Sequence, residues 1–93
     1  MIRTISDKES QKIYDGDSSS AILKEIQHVA RRKLRMIDAA VSVNDLRIPP
    51  GNHLEKLKGN LEGFYSIRIN DQYRIIFRYE TGDAYDVKIT DYH

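Results

Sequence analysis

The sequence predicts an α+β fold, a helical first half followed by an antiparallel sheet. Three observations carry that prediction. Apolar residues from Ile22 to Val41 recur at helical spacing for about five turns. The triplet Pro49, Pro50 and Gly51 is the strong breaker in mid-chain. Beyond it, the runs "GFYSIRIN", "QYRIIFRYE" and "AYDVKIT" are rich in β-branched and aromatic residues, alternate in polarity and are bounded by turn residues.

Taken in order, "MIRTIS" holds Ile2 and Ile5 about Thr4, a short strand candidate for a sheet edge. Asp7 is placed to cap one or two helical turns, which "DGDSSS" interrupts. Ser19 or Ser20 then caps a long amphipathic helix. Its buried face is Ile22, Leu23, Ile26, Val29, Ala30, Leu34, Ile37 and Val41; Lys24, Glu25, His28, Arg31, Arg32 and Arg35 lie opposite. "SVNDLRI" adds a further turn, the Pro49–Gly51 segment a loop, and Leu54 to Leu57 a short strand.

The hairpin register follows from burial. With Asn70, Asp71 and Gln72 as its loop, Ile69 faces Tyr73, Ile67 faces Ile75 and Tyr65 faces Phe77, so the large apolar groups share one face. Ser66, Arg68, Arg74 and Arg78 then share the other, a basic face that is concave if the sheet twists in the usual sense.

Composition bounds the rest. A chain of 93 residues, 40% hydrophobic and 31% charged, suits one compact domain over residues 1–93 with a single core and a charged surface. No apolar run approaches the roughly 20 residues of a membrane span, and "MIRTISDKES" lacks a secretion signal, so a cytoplasmic protein with no membrane contact is expected. The absence of cysteine removes disulfides, thiolate metal sites and cysteine nucleophiles. Net charge is +1, yet it is segregated. Lys24, Arg31, Arg32, Lys33 and Arg35 against Glu25 give residues 21–36 a local +4; Glu80, Asp83, Asp86 and Asp91 against Lys88 give residues 80–93 a local −3.

Common catalytic motifs fail. Asp15, Asp17 and Ser19 start like a calcium loop, but Ser20 and Ile26 stand where glycine and glutamate belong. His28, His53 and His93 are too dispersed for a local metal pair, and no phosphate loop or serine elbow exists. No metal and no cofactor is expected. What survives is a set of cations, Arg68, Arg74, Arg78, Lys56 and Lys58, with Tyr92 and His93 at the chain end. Singly, each has an ordinary explanation: solvated strand arginines, core tyrosines, a loose terminal histidine.

Together they suit RNA, which carries its own nucleophile in the 2′-hydroxyl. Cleavage by that route needs cations on the phosphorane, a base and an acid, and imidazole serves for either proton transfer. A well-placed donor lowers such a barrier by roughly 3 kcal/mol.

The stretches "RRKLRMIDAAVSVNDLRIPPGNHLEKLKG" and "GFYSIRINDQYRIIFRY", with the terminal "DYH", resemble the HigB-type toxins of the RelE superfamily, also called plasmid maintenance system killer proteins. The resemblance covers nearly the whole chain and is weakest over Lys8 to Ile22. It implies two N-terminal helices packed on a twisted antiparallel sheet. It further implies an endoribonuclease that cuts mRNA in the decoding A site of the 70S ribosome by metal-independent 2′-hydroxyl attack. A helix-turn-helix antitoxin of HigA type would neutralise it.

Carried over residue by residue, the resemblance assigns catalysis to Arg74, Lys58, Asp91, Tyr92 and His93. Where relatives carry a catalytic histidine this chain has Glu55, so the base is Glu55, or His53 nearby, or the enzyme relies on His93. Alternation would put His53 on the face of Glu55 if the strand reaches that far. Arg68, Lys56, His53 and Arg78 are the expected RNA contacts. The alternative is a binding module that docks on RNA or an acidic partner without cutting.

Overall fold

The computed structural model describes residues 1–20, 22 and 24–91. The first helix, α1 (Lys8–Asp15), begins where Asp7 Oδ2 accepts the Ser10 amide at 3.3 Å. It ends at Gly16, whose φ of 95° lets its amide reach the Ile13 carbonyl while the Asp17 amide reaches that of Lys12.

The second helix, α2 (Lys24–Ala39), is shorter at both ends than the apolar spacing predicts. Gln27 holds the preceding segment: its Oε1 accepts the Ser19 amide at 3.2 Å and its Nε2 donates to the Ser19 and Ile22 carbonyls, each at 2.7 Å. The buried Ser19 hydroxyl bonds to Glu9, and that bond holds the Glu9 carboxyl below its ordinary pKa. Leu23, assigned to the buried face, lies outside the described residues. At the far end Val41, also assigned to that face, is 80% exposed. Asp45 accepts the Val41 and Ser42 amides at 3.0 and 3.3 Å, and with Ser42 forms a capping box that opens a 3₁₀ turn over Val43–Arg47.

Four antiparallel strands follow in the spatial order β1 (Glu55–Lys56), β2 (Phe64–Arg68), β3 (Tyr73–Glu80), β4 (Asp83–Asp91). The hairpin register is the expected one: Tyr65 pairs with Phe77, Ile67 with Ile75, and Ile69 N–H donates to the Tyr73 carbonyl at 2.9 Å. One feature escapes simple alternation. Ile76 pairs with Lys88 but Arg78 with Tyr85, so a bulge at Asp86, φ 54°, restarts the pattern and lets Ala84 and Val87, three residues apart, both face the core. Ile2 and Ile5 make parallel bridges to Ala84 and Val87, so the N-terminal segment lies along the β4 edge.

The core joins Ile13 of α1 and Ile26, Ala30, Leu34 and Ile37 of α2 to Ile67, Ile75, Phe77, Val87 and Ile89 of the sheet. Each large side chain buried there contributes roughly 1.5–3 kcal/mol. The Tyr79 hydroxyl donates to the Ala40 carbonyl at 3.0 Å, tying β3 to the end of α2. Both helices therefore sit on one sheet face, which leaves the Arg74 face without a helix over it. Among the described residues no helix is long and apolar enough to cross a membrane.

Candidate functional site

Register builds the open face. Arg68 pairs with Arg74 and Arg74 with Thr90, while Glu55 pairs with Ser66 in the next row. Cross-strand partners share a face, so Glu55, Arg68 and Arg74 stand together. They line a depression of about 320 Å³ with His53, Asn70 and Asp71.

Arg74 is its buried floor, only 8% exposed. Its Nη2 donates to the His53 carbonyl at 2.7 Å, and its Nη1 lies 3.5 Å from Glu55 Oε1. A planar guanidinium fixed in this way keeps its fork oriented for a phosphate or carboxylate. His53 presents its carbonyl because its backbone is left-handed, φ 45° and ψ 56°, at the end of a 3₁₀ turn over Pro50–Asn52. The strand begins only at Glu55, so alternation does not relate His53 to Glu55. They meet through Arg74.

Asn70 shapes the opposite wall, its Oδ1 accepting the Gln72 and Tyr73 amides at 2.9 and 2.7 Å and closing the hairpin. Arg68 pairs with Asp71. Asp91 pairs in register with Tyr73 and accepts from Gln72 Nε2 at 3.1 Å, so β4 delivers the chain to the hairpin end of the sheet. Tyr92 and His93, both assigned to catalysis, lie outside the described residues.

The remaining expected contacts are not in this depression. Lys56 and Lys58 line a neighbouring one of about 450 Å³ with Leu57, Gly59 and Glu62. Lys56 pairs with Tyr65, so it belongs to the opposite sheet face from Arg74. Arg78 shares the Arg74 face, but its guanidinium is held by Asp86 at 2.9 Å and Glu80 at 3.2 Å and lies 5.4 Å over the Tyr85 ring. The hydrogen bond it donates to Asp86, above all, pushes its pKa up. The face is thus less basic than its arginine count. Two cations of α2 are engaged within the fold without being neutralised: Lys33 is buried, and Arg31 donates to the Ile13 and Asp17 carbonyls at 2.8 and 3.0 Å.

Among the described residues no group of three or more His, Asp or Glu side chains has the geometry of a metal site. The feature that sequence reasoning missed is the His53 carbonyl as the anchor of Arg74, and a main-chain acceptor has no signature in residue type.

Two helices on one face of a four-stranded antiparallel sheet, with a cation-floored depression on the other, define a class when set beside known structures. A chain of the heterotetrameric YoeB–YefM toxin-antitoxin complex from Staphylococcus aureus aligns with a TM-score of 0.63 at 22% identity, covering 100% of this chain and 98% of that one. The YoeB dimer from the same organism aligns at 0.58 and 24% identity, covering 99% and 94%. The fold is that of RelE-like toxins.

Sequence narrows the class. The model for "RelE-like toxin of type II toxin-antitoxin system HigB" matches residues 3–93. Toxin HigB-1 of Vibrio cholerae is 46% identical over 79 residues, 84% of this chain and 83% of that protein. Endoribonuclease HigB of Proteus vulgaris is 29% identical over 93 residues, all of both chains. The chain belongs to the HigB-like family of toxins of type II toxin-antitoxin systems.

Proposed function

We propose that the protein is an endoribonuclease that cuts mRNA in the ribosomal decoding A site and so arrests translation in the cytoplasm. Family membership supports the class of activity, and the observation that carries the chemistry is the pinned Arg74 guanidinium beside the Glu55 carboxylate, 3.5 Å away in an open depression.

In this reading Arg74 binds the scissile phosphate. Glu55 takes the proton of the 2′-hydroxyl, whose oxygen attacks the adjacent phosphorus. The phosphorane charge rests on Arg74, and the 5′-oxygen leaves with a proton from His93. The products are a 2′,3′-cyclic phosphate and a 5′-hydroxyl, and no metal enters the scheme. Tyr92 stacks on or orients the nucleotide, while Asp91 positions the terminus. Arg68 contacts the RNA within the depression. Lys58 adds a cation from the neighbouring depression, and Lys56 binds the backbone there. Glu55 is preferred to the His53 ring as base because its carboxylate is the group that accompanies the guanidinium. Arg78, engaged by two carboxylates, contributes less.

The partner that restrains this activity is an antitoxin of helix-turn-helix type. The staphylococcal relative of the same fold occurs with its antitoxin YefM. The test is a reconstituted translation reaction with purified protein, with the mRNA ends analysed by mass spectrometry. A 2′,3′-cyclic phosphate on mRNA that is being translated is the expected result. Ends carrying 3′-hydroxyl and 5′-phosphate, or inhibition without cuts, contradict the scheme; the latter would identify a docking module.

A further inference from the structure

Lys33 contributes to the local +4 of residues 21–36, yet it is 6% exposed, and Asn52, to which its ammonium donates, is fully buried. Among the described residues no carboxylate lies within salt-bridge distance of Lys33. Methionine would fill such a position without desolvating a charge, so an ammonium kept there on one amide oxygen is expensive unless it fixes something. What it fixes is a loop. Asn52 Nδ2 donates to the Leu46 carbonyl at 3.1 Å and reaches that of Ile48 at 3.5 Å, and the Asn52 amide donates to the Pro49 carbonyl at 2.9 Å. The next residue is His53, whose left-handed backbone aims its carbonyl at Arg74.

We infer that Lys33 and Asn52 are positioning residues for Arg74: the Lys33–Asn52 hydrogen bond holds the Pro49–His53 loop so that the His53 carbonyl pins the Arg74 guanidinium. The chain of contacts runs from α2 through a buried amide to the floor of the depression. It accounts for a buried cation and asparagine that the catalytic scheme leaves unused. The kinetic consequence rests on the role proposed for Arg74; the geometric one does not.

The test follows the side-chain Nε–Hε NMR signal of Arg74, assigned by its loss in Arg74→Lys, alongside cleavage kinetics. In Lys33→Met, with the fold verified by circular dichroism, exchange of the Arg74 Hε proton rises and kcat falls by on the order of tenfold to a hundredfold, with KM changed by less than about threefold. In an Arg74→Ala background, Lys33→Met causes no further loss of activity, because both act through one group. Should Lys33→Met fail to fold, Asn52→Ser, which leaves the ammonium in place and removes the amide donors, is read in the same way.

A folded variant whose Arg74 signal and kcat match the wild type overturns the inference, as does a fully additive loss in the double variant. If Arg74→Ala itself cleaves normally, the proposed catalytic role fails instead, and the NMR signal alone decides the positioning.

Discussion

Arg74 donates to the carbonyl of His53 at 2.7 Å, twenty-one positions away in sequence, and this contact sets the direction in which the guanidinium faces the open depression. A lysine at that position keeps the charge but cannot hold the carbonyl and a phosphate at once with a planar fork. Arg74→Lys is therefore expected to lose on the order of 10²–10³ in kcat, the scale for losing an oriented charge-stabilising donor. Single-turnover cleavage, with circular dichroism as the control for folding, checks it.

Glu55 and His53 border the same depression but contribute different atoms. Glu55→Gln removes the acceptor for the 2′-hydroxyl proton and is expected to lower kcat by about 10²–10⁴. His53→Ala keeps the main-chain carbonyl, so its loss is expected to stay within roughly tenfold, given that imidazole is not the base. A larger loss in His53→Ala than in Glu55→Gln reverses the assignment.

Burial, reinforced by the nearby Arg32 charge, lowers the pKa of Lys33 from the ordinary lysine value. The unfolded chain therefore binds more protons than the native one between that lowered value and about 10.4, and stability attributable to this residue rises with pH across that window. Tyr14 and Tyr79 act in the opposite sense. Burial first, and then Asp38 for Tyr14 and Asp45 for Tyr79, push their hydroxyls up, so stability falls above about pH 10. Subtracting the urea stability of Lys33→Met from that of the wild type cancels the tyrosines. The difference should climb with alkalinity; a flat or falling difference contradicts the buried-ammonium picture.

Arg31 and Arg32 are adjacent in sequence and unequal in structure. Arg31 supplies donors to the Ile13 and Asp17 carbonyls at the end of α1, whereas Arg32 is exposed. Arg31→Ala should cost about 1–2 kcal/mol through lost charge-assisted hydrogen bonds. Arg32→Ala should fall within about 0.5 kcal/mol of the wild type. Paired urea melts read both.

Much of the fold was legible in residue pattern, and what was not had local causes. The register of β2 against β3 followed from burying Tyr65, Ile67, Ile69, Tyr73, Ile75 and Phe77 together, because a slip of one residue exposes them all. Asp7 as a cap was legible from its type. The start of α2 was not, since Gln27 binds the segment ahead of it through a contact that only the folded chain makes. Nor was the bulge at Asp86, where the backbone enters positive φ without a glycine to announce it. At the candidate site, the hairpin register groups Arg68 with Arg74, while Glu55 was indicated only by the family resemblance, and its pairing with Ser66 is seen in the structure. The separation of Lys56 and Lys58 into another depression, and the neutralisation of Arg78, depend on a two-residue edge strand and on partners in β3 and β4. The burial of Lys33 has no signal in residue type either: it follows Arg32 in a stretch of local charge +4, and only the folded chain brings Asn52 against it.

The most direct measurement is primer extension on mRNA from cells expressing the wild type or Arg74→Ala at matched protein levels without antitoxin. The account predicts discrete cuts within translated reading frames for the wild type, and their loss together with the growth arrest in Arg74→Ala. Identical cuts in both, or growth arrest by the wild type with no cuts at all, would contradict it.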